Sequence, residues 1–99
     1  MTDNDSIVLK DIGETVAMID VQYRLAEPAD RIDMKENRDK VLAEYGDARD
    51  KLLADGVICT DEHIVEMRKI KAEIEQAAKA QQIIQGMLRL VKFLRGFAV

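Results

Sequence analysis

The sequence is short of the residues that build chemistry. It has one cysteine, one proline, one histidine, one serine and no tryptophan, and aromatic residues make up 4% of its 99 positions. The single cysteine, Cys59, cannot close an internal disulfide, so nothing calls for an oxidising compartment. The one serine, Ser6, stands far along the chain from the one histidine, His63, which argues against a Ser-His-acid nucleophile. The glycines, Gly13, Gly46, Gly56, Gly86 and Gly96, never cluster as a phosphate-cradling loop requires. One proline and five glycines are too few turn formers for a many-stranded β fold. No run of 18 apolar residues occurs, so no complete membrane span is expected. The opening Met-Thr-Asp-Asn-Asp-Ser is acidic and polar, unlike a secretory leader, and a cytoplasmic location is the default expectation. No catalytic, cofactor-binding or metal-ligating set is assigned, and a non-enzymatic protein without a cofactor is expected.

What the sequence does have is aliphatic side chains and charge. Hydrophobic residues account for 47% and charged residues for 34%, a balance that supports one folded domain over residues 1–99. The charge is unevenly spread. All 19 acids lie at or before Glu75, and from Gln76 onward only Lys79, Arg89, Lys92 and Arg95 carry charge. A helix C-terminus favours bases such as Lys92 and Arg95 through its dipole, but that does not account for so long a stretch without an acid.

The periodicity is helical throughout. Residues 1–8 read as a flexible leader. Leu9, Ile12, Val16, Ile19, Tyr23 and Ala26 form a seam, predicting a first helix over about 9–26, with Asp11 and Glu14 in capping-box spacing. Pro28 disfavours a helical Glu27 and ends that helix. A second helix is expected over about 30–54, with Asp30 as N-cap and Met34, Val41, Tyr45, Ala48 and Leu52 on one face. Asp55-Gly56 should close it with a left-handed glycine, after which Val57 and Ile58 fold back as an apolar plug. Thr60 caps a third helix over about 61–95, whose apolar positions Met67, Ile70, Ile74, Ala77, Ile84, Leu88 and Val91 keep 3-4 spacing with Gln81 as the polar gap. The expectation is an all-α fold: three helices in antiparallel hairpins, dominated by one long C-terminal helix with a coiled-coil-like seam.

Two local groupings invite a chemical reading. Cys59 and His63 are four residues apart at a helix start, where a thiol can be activated, but two ligands do not make a zinc site within one chain. A small buried thiol and a first-turn surface imidazole are the favoured reading. Glu62, Glu66, Lys69 and Glu73 line one stripe, and the alternation with lysine points to a solvated face rather than acid–base chemistry.

Association is the stronger expectation. Placing Leu52 opposite Ile64 in an antiparallel α-hairpin leaves the residues after Gly86 beyond the reach of the second helix. That overhang is rich in apolar residues: Met87, Leu88, Leu90, Val91, Phe93, Leu94 and Phe97, interspersed with Arg89, Lys92 and Arg95. Left in water, such a patch is unfavourable. These ten residues are therefore the expected interaction site, in a helical adaptor or structural subunit that self-associates or docks a protein partner. A membrane surface met by the three bases is the alternative, and an enzyme with a subunit-interface site is a further one. Nucleic acid is disfavoured by the acidic body.

Overall fold

The computed structural model describes residues 3–54 and 58–97, and these form four helices with no strand among them. They are α1 (Asn4–Leu25), α2 (Pro28–Ala54), α3 (Asp61–Glu75) and α4 (Ala80–Arg95). The expected Asp55-Gly56 helix stop and the Val57 part of the plug lie outside the described residues, as do Ala98 and Val99 at the end of the overhang.

α1 begins earlier than the periodicity predicts. Asp3 caps it by accepting the Ser6 N–H at 2.8 Å, so the first helical residue is Asn4 and the expected leader is mostly helix. Asp11, read as a cap, lies in the helix interior, where its carbonyl accepts the Thr15 hydroxyl at 2.7 Å. Pro28 is the first residue of α2, where its missing N–H costs nothing. The α1–α2 turn is therefore only Ala26 and Glu27, with the Ala26 N–H bonded to the Tyr23 carbonyl.

The expected long C-terminal helix is two helices. Nothing local stops it: Gln76-Ala77-Ala78-Lys79 contains neither glycine nor proline. The break comes from packing. Folding α4 back buries Ile83, Met87, Leu90, Val91, Phe93 and Leu94. At roughly 1.5–3 kcal/mol per buried large side chain, that is on the order of 10 kcal/mol. The few helical hydrogen bonds given up are worth about 1 kcal/mol each, and the turn recovers part of that. Ala77 N–H bonds to the Ile74 carbonyl, and the Gln82 side-chain oxygen accepts the Ala78 and Lys79 N–H groups at 2.8 and 3.2 Å. The seam also changes phase across the break. Inward positions are Met67, Ile70 and Ile74, then Ile83, Met87, Leu90 and Leu94, while Leu88 is 49% exposed.

The four helices form a square bundle measuring 42 × 22 × 19 Å. α1 packs on α2 and α3, and α4 packs on α2 and α3, which leaves α2 and α3 at opposite corners. The hairpin expected between α2 and α3, with Leu52 opposite Ile64, therefore does not form, because α4 fills that place. α1 and α3 run parallel, joined by Arg68–Asp11, Lys71–Glu14 and Gln22–Ile74 carbonyl contacts. The Lys71 hydrogen bond and charge hold the Glu14 carboxyl below its ordinary value. Asp5 ties the entry to α3 onto α1: its buried carboxylate accepts the Ile58 and Cys59 N–H groups at 2.9 and 2.7 Å.

α4 packs tightly on α3 at Gly86. A Cβ there would sit 2.5 Å from Cγ1 of the fully buried Ile74, whereas one at Gly46 in α2 meets nothing within 4 Å. Alanine is about 1 kcal/mol better than glycine in a helix interior, and overpacking costs about 1–3 kcal/mol. Gly46→Ala should therefore raise stability by about 1 kcal/mol and Gly86→Ala should lower it by a similar amount. Denaturant unfolding of the two variants checks the opposite signs.

Candidate functional site

The outer faces of α3 and α4 enclose an open groove of about 930 Å³. Its α3 wall is set by helical spacing: Glu62, Glu66, Lys69 and Glu73 recur every three or four residues and so share one stripe, with Asp61 and Val65 beside it. Its α4 wall carries Arg89, Lys92, Phe93, Gly96 and Phe97, with Ile70 beneath. Val65 is 54% exposed, while Phe93 and Phe97 are buried against the core and show only their edges.

His63 closes one end. Thr60 accepts the His63 N–H at 3.3 Å, and His63 Nδ1 accepts the Thr60 N–H at 2.9 Å, a capping box with histidine in place of the usual glutamate or glutamine. Because Nδ1 accepts, a neutral ring carries its proton on Nε2. The same ring packs on Phe97 at 5.1 Å and edge-on to Phe93 at 6.0 Å, and the two phenyl rings meet in a T at 5.3 Å. Cap and aromatic cluster thus fix each other, since the imidazole belongs to both.

The charges in the groove are only partly paired. Arg89 donates to Glu73 at 3.0 Å. That register, with Gly86 against Ile74, sets Lys69 and Lys92 at one level on opposite walls. Among the described residues, Glu62, Glu66, Lys69 and Lys92 form no ion pair, although Glu66 and Lys69 are one turn apart. Other i,i+4 pairs on the helix surface do close, as in Lys10–Glu14, Asp20–Arg24 and Lys35–Asp39, although Glu27 and Arg31 do not.

The ten residues expected as an interaction site are divided by the fold. Met87, Leu90, Val91, Phe93, Leu94 and Phe97 are buried within the chain's own core, so no overhang stands clear of the bundle. Arg95 bonds Glu44 of α2 at 2.9 Å, and Leu88 is half-exposed outside the groove. Arg89, Lys92, Phe93 and Phe97 line the groove. The Glu62, Glu66, Lys69 and Glu73 stripe, read from sequence as a solvated face, is its opposite wall. Of the groove residues, only Arg89, Lys92, Phe93 and Phe97 were singled out for association by the sequence; the α3 wall, with Val65 and His63, was not. The nearest signal was Val65, an apolar residue set among charges.

Cys59 and His63 do not act as a pair. The Cys59 thiol is buried beside Asp5, while the imidazole turns to Thr60 and the phenyl rings. Burial first, then the hydrogen bond and charge of Asp5, push the thiol up to about 12. Its thiolate fraction at neutral pH falls about a thousandfold below that of an ordinary cysteine. Cys59 should therefore react with a disulfide reagent far more slowly in the folded protein than in urea. A fast stoichiometric reaction under native conditions contradicts the burial.

For the cap, Thr60→Ala should cost about 1 kcal/mol. The same change should cost much less in a His63→Ala background, because the two groups act as one unit. A double-mutant cycle by thermal unfolding measures that coupling.

No protein-family model matches the chain, and no curated protein or solved structure matches it either.

Proposed function

We propose that this chain is a non-enzymatic helical association module whose docking face is the α3–α4 groove. The observation that carries the reading is the groove's composition. Exposed Val65 stands beside a largely buried apolar floor of Ile70, Phe93 and Phe97, between walls whose Glu62, Glu66, Lys69 and Lys92 have no ion-pair partner among the described residues. An amphipathic helix fits such a trough: its apolar stripe covers Val65 and the floor, and its flanking charges meet those on the walls. Charges left open beside an apolar floor favour a partner carrying the reverse order, which gives orientation as well as attraction.

The membrane alternative fits less well. Arg89 and Lys92 stand on one wall, but Asp61, Glu62 and Glu66 share the groove with them and would be pressed against anionic headgroups. No helix is long and apolar enough to cross a membrane among the described residues.

The reading is tested with a synthetic amphipathic helix as the probe, bearing a leucine stripe with lysines placed to meet Glu62 and Glu66 and glutamates placed to meet Lys69 and Lys92. Titrated into isotopically labelled protein, it should shift amide signals along the outer face of α3 and α4. Val65→Asp should abolish those shifts, and Leu88→Asp, outside the groove, should leave them. Shifts that are absent, or that map to other helices, overturn the docking face.

A further inference from the structure

Resting on the groove as a docking face, we infer that its occupant is a second copy of this chain, with the two α3 helices crossing antiparallel about a twofold axis between Glu66 and Lys69. The face is complementary in charge to itself. A twofold centred there sets Glu66 of one copy opposite Lys69 of the other, and the same contact occurs twice. Both side chains are exposed and without an ion-pair partner among the described residues, so no pair described within one copy is broken. Lys92, level with Lys69 on the α4 wall, adds to the positive potential that meets the second copy's Glu66.

The arrangement brings a like-charge approach on each side of the axis, Glu62 of one copy toward Glu73 of the other. Glu73 is already neutralised by Arg89 at 3.0 Å, so that approach carries little repulsion. Val65, 54% exposed beside Glu66, brings an apolar side chain to the contact from each copy. A parallel arrangement, with α3 of one copy on α4 of the other, sets Lys69 against Lys92 and is disfavoured by the same rule.

The size of the face fixes the strength to look for. α3 has 15 residues and is about 22 Å long. With a bundle width near 20 Å, two copies cover roughly 900 Å², at the low end of specific interfaces. The dimer is therefore a weak one, in the micromolar range or above, and is sought at roughly 10 µM to 1 mM.

The experiment is a charge swap on the full chain. Sedimentation equilibrium should show the wild type passing from monomer to dimer with concentration. Glu66→Lys alone and Lys69→Glu alone should each weaken the dimer about tenfold or more. An equimolar mixture of the two variants, one of them uniformly labelled with nitrogen-15, should restore it as a heterodimer, which native mass spectrometry resolves by mass. Unchanged helical signal and melting of each variant alone verify the fold. A wild type that stays monomeric to 1 mM overturns the second copy, as does a dimer indifferent to both substitutions or a mixture that fails to associate. The synthetic helix separates the two readings. If it still shifts the groove amides of a monomeric protein, the docking face stands and only the identity of its occupant fails.

Discussion

The fold depends on the removal of one helix face from water. α4 carries Met87, Leu90 and Leu94 on a single stripe, and all three are fully buried between α2 and α3. With so few aromatic residues, the core is made of aliphatic and methionine side chains that no pair of these helices covers alone. Met34 and Val41 of α2, Ile12 of α1 and Met67 and Ile74 of α3 reach full burial in the assembled bundle. The Gly86 approach to Ile74 records how tightly the fourth helix is drawn in.

Around that core the polar contacts act as positioning devices. Asp5 and Asn4 hold the segment entering α3 against the first turn of α1. Arg68–Asp11 and Lys71–Glu14 keep α1 and α3 in parallel register, while Arg95–Glu44 keeps α4 on α2. Exposed pairs of this kind contribute little stability each. Their use is in choosing one arrangement of the hairpins over another that buries similar apolar area.

The groove is a consequence of the same packing. Phe93 of α4 and Phe97 just beyond it fill the core beside α3, and exposed Val65 stands next to them at the surface. His63 closes one end of the groove because the residue that caps α3 is also their aromatic neighbour. The groove combines an apolar floor with walls of both signs, over a length set by two short helices.

The sequence by itself determined the all-helical character, the turn at Pro28, the Thr60 cap and the inward faces of α2 and α3. Each of these rests on local physics: proline geometry, capping and 3-4 spacing within one element. It did not determine the start of α1, because Asp3 and Asp11 are both competent caps and the choice rests partly on the contact of Asp5 with Ile58 and Cys59, more than 50 residues away. Nor did it determine the break between α3 and α4. Gln76-Ala77-Ala78-Lys79 is good helix sequence, and the inward stripes before and after it differ in phase by an amount that a single seam with one polar gap conceals. Only the tertiary structure decided that break, because burying the α4 stripe in the same molecule is worth more than the few helical hydrogen bonds lost at the turn. With that decision the expected overhang became core, and four of its residues, Arg89, Lys92, Phe93 and Phe97, came to face a charged stripe of α3 across a groove that no spacing in the chain announces.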